Sequence, residues 1–584
     1  MKFVKSSNLN GRDLLFVYLR PQWWRVPGLI FLIFAGIGIQ LINPQILRYF
    51  IDSALGGISV QNLIRAGSLF VGLALIQQLV SIASTYVSEN VAWTATNQLR
   101  SDLIAHCLRL DLAFHKEKTS GEMLERVDGD VNTLANFFSQ AVIQLLGNTL
   151  LVSGILVLFF LEDWRIGLTM SLFTLVSFAV LISIRNVATR YWVHYMQASA
   201  NFMGFLGEHL AGTEDLRANG ATGYVMQRFY QLLRPLFESR RKSSLAGYSM
   251  WMVTLFLFGL GNALALLIGV YLWNARIISL GTVYITFYYV NLLNDPFEQI
   301  RTQLQQLQQA AAAVERVKQL FQAQPTIIEQ NIASLPAGAL SVSFEEVEFG
   351  YQPETPILQQ MTFSLPAGQV MGILGRTGSG KTTLARLLLR LYDIQSGSIR
   401  LAGVPIQSVS QRELRQHIGM VTQDVQLFHA TVRANLTFFD HTISDEHILS
   451  VLEEIGLKPW LNALPEGLDT LLGSDGEGLS AGEAQLLAFT RVFLHNPGLV
   501  ILDEASSRLD PATEQLIERA VSKLFQGRTG IIIAHHLATL QRVDRILYLS
   551  DGHILEQGER AELVADPTSH FSLILQTGGE EVMA

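Results

Sequence analysis

Roughly six stretches in the first 303 residues, near 27–50, 65–90, 138–161, 166–187, 247–273 and 281–303, are apolar enough and long enough to cross a lipid bilayer, and nothing comparable follows Leu304. A hydrocarbon core about 30 Å thick takes roughly 20 residues of helix. Lipid offers the backbone no hydrogen-bond partner, so such stretches are expected to be helices. A soluble protein can imitate one such run but not several in series. Composition agrees, with 49% of the 584 residues hydrophobic and only 16% charged. The formal charge of −8 argues against a nucleic-acid binder, which usually needs a clustered basic face to neutralise phosphates. A single cysteine, Cys107, excludes an intrachain disulfide and reads as helix packing.

Basic residues give the orientation. Lys2, Lys5, Arg12, Arg20 and Arg25 precede the first span; Arg100, Arg109, Lys116, Lys118 and Arg126 follow the second; Arg190, Arg217, Arg228, Arg234, Arg240, Arg241 and Lys242 follow the fourth. The other side shows only Arg165 and Arg276 in short connections. Both termini are therefore expected in the cytoplasm. The first apolar run exceeds a signal-peptide core and shows no small-residue cleavage site, so it is expected to stay. The inward connections 91–137 and 188–246 read as helices continuing out of the membrane, reversing around Lys116–Gly121 and Gly212–Gly220. Such tips can be plain solvated hairpins or can touch a cytoplasmic domain.

The helical stem "QLQQLQQAAAAVERVKQLF" gives way to the proline-containing "QAQPTIIEQNIASLPAGA", whose lost periodicity marks a linker. From Leu340 short β-rich runs alternate with helices: "SVSFEEVEF", "VMGILG", "IGMVTQ", "LVILDEA", "TGIIIAH", "RILYLS". This pattern predicts an α/β domain with a largely parallel sheet. In "VMGILGRTGSGKTTLARLLLRL" a strand, a Gly-rich loop and a helix follow in the order of a phosphate loop, through Gly375, Gly380, Lys381 and Thr382. Glycines let backbone N–H groups wrap phosphates, Lys381 reaches the β/γ oxygens, and Thr382 can ligate magnesium. In "GLVILDEASS" Asp503 and Glu504 close a strand at the sheet edge where α/β folds place ligands. There Asp503 can hold magnesium through water and Glu504 can polarise an attacking water.

At this point the carboxyl-terminal half resembles the nucleotide-binding domain of ATP-binding cassette proteins, and nearly the whole chain resembles a half-transporter of the six-helix exporter type. The resemblance implies an all-α membrane domain (1–322), a linker (323–340), an α/β P-loop ATPase domain with a helical subdomain (341–576) and a tail (577–584). It assigns ATP to Tyr351 as the adenine-stacking ring and to Gly375, Arg376, Thr377, Gly378, Ser379, Gly380, Lys381, Thr382 and Thr383. Mg2+ falls to Thr382, Gln423 and Asp503. Glu504, Gln423 and His535 are implied in hydrolysis, His535 against the γ-phosphate. "LSAGE" stands for the family signature, usually Leu-Ser-Gly-Gly-Gln, so Ser480 and Gly482, with Asp510, serve ATP held by the opposite chain. Glu483 departs from the pattern, as do Arg508, usually Ala, and His536, usually Arg. Ser480 followed three residues later by Glu483 also spells a capping box opening the next helix.

"KTSGEMLERVDGD", "EHLAGTEDLRANG", Asp295-Pro296 and "AAVERV" match the family on the membrane side. The implied function is ATP-driven export of an amphipathic, lipid-like or peptide compound from the cell membrane by a dimer. An intact catalytic carboxylate beside an altered signature favours a second, different half as partner over a second copy. A cassette-gated channel, a regulatory membrane ATPase and an importer remain open; a soluble cassette ATPase is excluded by the spans. Asp295 is expected to cap the helix resumed after the break at Pro296, with Glu298 completing a capping box, or to line an inward cavity with Asn291 and Asn294.

Overall fold

The computed structural model describes residues 16–577, apart from 330–331, 353, 474–477, 504–510 and 535–536. By contact it divides into two units, one built from Met1–Arg109 and Thr119–Gln324, the other from Leu110–Lys118 and Pro325–Ala584.

In the first unit α1 (Val26–Leu55) and α2 (Val60–Cys107) lead towards a short helix, α3 (Leu112–Glu117), that belongs to the second unit. The chain returns through α4 (Ser120–Glu162), which has π-helical turns at Glu125–Asp130 and Ala141–Leu146, then α5 (Trp164–Ala211) and α6 (Thr222–Asn274). Among the described residues five helices are long and apolar enough to cross a membrane. At about 1.5 Å per residue, the 48 residues of α2 and of α5 run to about 72 Å, more than twice the hydrocarbon thickness. Each therefore continues far beyond lipid. The second reversal is a short helix, Thr213–Ala218.

The sixth apolar stretch is divided into α7 (Leu280–Leu292) and α8 (Asn294–Gln322). The expected cap is not made: α8 begins without a side-chain cap hydrogen bond, and Asp295 is exposed. Leu293 keeps helical dihedrals, its N–H bonds to Tyr289 O at 3.2 Å, and its carbonyl accepts from Phe297 at 3.3 Å. Pro296 has no N–H to satisfy. No frayed helix start is left for a carboxylate to cap. Asn291 exchanges amide hydrogen bonds with Asn262 on α6 at 3.0 and 3.1 Å.

Lipid supplies little hydrophobic drive between helices, so close approach of small residues matters. Gly261, Ala265 and Gly269, four apart on α6, are all buried. A Cβ on Gly261 would lie 2.4 Å from the Phe173 ring of α5, and one on Gly269 would lie 2.8 Å from Val283 of α7. Phe159, Met170, Phe258 and Tyr289 fill the space around them. Where α1, α4 and α7 meet, Arg48 pairs with Glu162 at 2.5 Å. Asp52 accepts from Ser279 Oγ at 2.6 Å and from the Gly281 N–H at 2.8 Å. Further along, α8 is tied to its neighbours by Arg316, whose Nε and Nη2 both donate to buried Asp130. The His106 ring nitrogen lies 3.1 and 3.0 Å from the Leu320 and Ala323 carbonyls. Cys107 is buried at the end of α2.

The second unit carries two sheets. Strands β1 (Val342–Phe349), β2 (Leu358–Leu365), β4 (Ser396–Leu401) and β5 (Val404–Pro405) form an antiparallel sheet in the order β2-β1-β4-β5. The other contains β3 (Val370–Gly375), β6 (Ile418–Val421), β7 (Leu499–Asp503), β8 (Thr529–Ile533), β9 (Arg545–Ser550) and β10 (His553–Glu559). Its order is β10-β9-β3-β8-β7-β6, parallel except for the β10 edge. Every residue of β3, β7 and β8 is buried, as parallel strands covered on both faces require. The helices of this unit include α9 (Lys381–Leu388), α10 (Ala481–His495) and α11 (Pro511–Leu524), with shorter ones such as Asp445–Ile455 between β6 and α10.

Candidate functional site

Three neighbouring strands present their carboxyl ends together. Ile373 of β3 and Asp503 of β7 both pair with Ile533 of β8, so with strands about 4.8 Å apart the two Cα atoms lie about 10 Å apart. Beyond Ile373 the chain turns through Gly375, Gly378 and Gly380, with φ of 145°, 87° and 105°, into α9. The result is a glycine loop opening onto a helix N-terminus, where N–H groups and the helix field favour an anion. Arg376, Thr377 and Gly378 are exposed along the loop, Ser379 and Lys381 are buried, and Thr382 is half-buried.

Lys381 Nζ lies 2.5 Å from Gly375 O and 3.0 Å from Arg376 O, arched back over the loop. The Ser379 hydroxyl is buried without a hydrogen-bond partner. A buried polar atom of that kind is costly unless a ligand satisfies it. Asp503 is a buried acid, 7% exposed, at the strand end. A glycine cradle, an ammonium, an orphan hydroxyl and a buried carboxylate on one edge fit a nucleotide triphosphate with a divalent cation. Glu504, Asp510 and His535 lie outside the described residues; Glu504 follows β7 directly, and His535 follows β8 after Ala534.

Tyr351 follows β1 beside this loop. Its hydroxyl accepts from Arg386 Nη1 at 2.9 Å and lies 3.2 Å from Thr383 Oγ1, both on α9. Phe349 and Tyr392 stand edge-on to its ring, with centroids 5.2 and 5.1 Å away. The ring is thus locked to the loop helix. Arg386 and Tyr392 were not singled out from sequence, because their use depends on where the turn after β1 brings Tyr351.

The segment Gly478–Gly482 leads into α10. Ser480 Oγ accepts from the Glu483 N–H at 3.2 Å, and the Glu483 carboxylate accepts from the Ser480 N–H at 2.7 Å and from its hydroxyl at 2.8 Å. The capping box is complete, and Gly482 is buried in the first turn. On the same helix, Arg491 donates to Asn435 O at 2.8 Å and to Gln426 O at 3.1 Å, and lies 4.5 Å over the Phe438 ring. Burial pulls its guanidinium down to about 10, which still leaves it charged near neutral pH. Arg491 therefore fastens α10 to the segment beginning at exposed Gln423, just past β6. Its sequence cue is an Arg set among the apolar residues of the run "LLAFTRVFL".

Comparison with known proteins gives matches along nearly the whole chain. Residues 358–507 match the family described as ABC transporter, and residues 27–297 match ABC transporter transmembrane region. The chain is 31% identical to a fatty acid ABC transporter ATP-binding/permease protein of Mycobacterium bovis, over 80% of this chain and 74% of that one. It is 29% identical to an ATP-dependent lipid A-core flippase of Alcanivorax borkumensis, covering 94% of each. Among solved structures, a bacterial Atm1-family ABC exporter with ATP bound superposes with a TM-score of 0.78 at 25% identity, covering 95% of this chain and 98% of that one.

Proposed function

Because the chain belongs to the ABC transporter family, we propose that it is one half of a dimeric exporter that drives an amphipathic, lipid-like or peptide compound out through the cell membrane. The chain is a multi-pass membrane protein with an ATPase domain whose hydrolysis is coupled to transport. Half-transporters of this family typically dimerise. The observation that carries the reading is the joining, in one chain, of long membrane helices to a sheet edge holding the glycine loop and Asp503. Relatives named for fatty acids, lipid A-core and multidrug resistance support an amphipathic cargo. The inward bias of basic residues supports cytoplasmic termini and a cytoplasmic ATPase domain.

In this reading Tyr351 stacks on adenine, the loop Gly375–Thr383 cradles the phosphates, and Lys381 swings from the loop carbonyls to the β/γ oxygens. Thr382, Asp503 and Gln423 would hold magnesium, which neutralises phosphate charge when bound. Glu504 orients the attacking water and His535 contacts the γ-phosphate. Ser480 and Gly482, with Asp510, complete the partner chain's ATP site. Closure of the two ATPase domains on ATP shifts the membrane helices between states, and hydrolysis reverses it. The test is sided transport in vesicles: purified complex with ATP on the ATPase side should move a fluorescent phospholipid or a copurifying ligand away from that side. Flux that continues after ATP is exhausted would identify a channel instead.

Two expectations follow for the signature. Glu483→Gln keeps an acceptor for the Ser480 N–H but deletes a charge at the α10 N-terminus. The freed helix field, worth ~0.3–1 kcal/mol at exposed positions, should tighten ATP at the composite site roughly two- to five-fold. An unchanged KM for ATP in the hydrolysing dimer would refute this. The intact carboxylate combined with this altered signature also favours a different half as partner. Purified alone, the chain should show little ATPase activity, recovering when the second half is coexpressed; robust cargo-stimulated turnover by a homodimer rejects that pairing.

A further inference from the structure

The nucleotide-binding unit contains a piece of chain from far upstream. Residues Leu110–Lys118, including α3, fold with it. Asp111 Oδ2 accepts from Thr326 Oγ1 at 2.7 Å and from the Ile327 N–H at 3.2 Å, and Leu112 packs against the apolar core between the sheets. At the other end of α3, Lys116 Nζ stands 4.5 Å over the centroid of the Tyr351 ring. That is well inside the ~6 Å reach of a cation–π contact. Tyr351 cannot turn aside to offer itself elsewhere, since Thr383 and Arg386 hold its hydroxyl and Phe349 and Tyr392 flank its ring.

We propose that Lys116 competes with the purine of ATP for the ring of Tyr351, so that arrival of the nucleotide removes this one hold on the far end of α3. The proposal rests on the reading of Tyr351 as the adenine platform. On the face that Lys116 covers, a stacked base with its centroid ~4.5–7 Å from the ring would overlap the ammonium. The Asp111 and Leu112 contacts do not involve Tyr351, so α3 stays attached when Lys116 leaves. Linkage makes the effect reciprocal: the factor by which Lys116 weakens ATP binding is the factor by which ATP weakens the hold on α3. The tip of the first inward connection thereby registers nucleotide at the base end, apart from the phosphates.

The proposal has an unusual sign. Removing a cation near a polyphosphate site ordinarily weakens anion binding, whereas removing a competitor strengthens it. ATP and inorganic triphosphate binding are measured on the full-length protein in detergent, before hydrolysis. Lys116→Met should raise ATP affinity about two- to five-fold, the scale of an exposed cation–π contact, and leave triphosphate affinity unchanged. Lys116→Arg, which keeps a cation over the ring, should behave as wild type. In a Tyr351→Leu background, where ATP binds more weakly, Lys116→Met should have no further effect. Unchanged or weaker ATP binding by Lys116→Met, or an equal gain for triphosphate, overturns the competition alone. Wild-type ATP affinity in Tyr351→Leu removes the platform reading and the competition with it.

Discussion

Glu504→Gln should leave ATP binding intact while lowering turnover by roughly 10²–10⁴, the scale of lost general-base assistance. β7 ends on buried Asp503, in register with β8 and through it with β3, and Glu504 is the next residue in the sequence. An amide of the same shape still hydrogen-bonds a water but cannot take its proton. Phosphate release by the assembled dimer measures the loss, and equilibrium ATP binding by the same preparation is the control. Wild-type turnover by the Gln variant in that assembled dimer removes Glu504 from the chemistry.

Gly375→Ala should reduce ATP affinity by at least ~100-fold and lower the unfolding temperature of the nucleotide-binding unit. Gly375 pairs with Leu549 on β9, and its φ is 145°. A Cβ there would sit 2.2 Å from the Leu549 carbonyl oxygen and 2.7 Å from Ser379 Oγ. The first neighbour is backbone, so relief requires β3 and β9 to separate. The carbonyl of Gly375 is also one that Lys381 holds; displacing it moves the loop. Strain plus overlap costs on the order of 3 kcal/mol or more. Gly378→Ala is the informative companion. Its φ is 87°, but nothing lies within 4 Å of the added carbon, so only the left-handed backbone penalty of about 1–2 kcal/mol remains. Equal losses in the two variants would show that the β9 overlap is unimportant.

Features whose partners are close in the chain were legible in the sequence. The Ser480–Glu483 box closes within one helical turn, so four letters suffice to state it. β1, β3, β6, β7, β8 and β9 were readable as apolar runs, and the central ones among them are parallel strands buried on both faces. β2, β4 and β10 were not marked: they are antiparallel, and residues such as Gln360, Ser398 and Glu556 alternate with apolar ones along them. Such alternation also fits a polar loop. Long-range pairs left no trace, since nothing local links Asp130 to Arg316 or Lys116 to Tyr351. Arg48 and Glu162, near the ends of apolar runs, were not read as partners, although ionised groups at membrane depth seldom stand without them. Asp295 shows the converse error. Asp-Pro and a Glu three residues after the Asp satisfy a capping pattern, yet Leu293 keeps its helical bonds and the cap has nothing to do.

The two-piece make-up of the nucleotide-binding unit sets a timetable for its making. Pro325 follows Lys118 by 207 positions (325 − 118). At 5–20 residues per second a ribosome takes about 10–40 s to reach it. In that interval α4, α5 and α6 are synthesised, while Leu112 has no β-sheet core to enter and Asp111 has no Thr326 to receive. The finished ATPase docks a surface peptide delivered early by the upstream part of the chain. A fragment begun at Pro325 lacks that peptide, and the apolar patch that Leu112 covers is left to solvent.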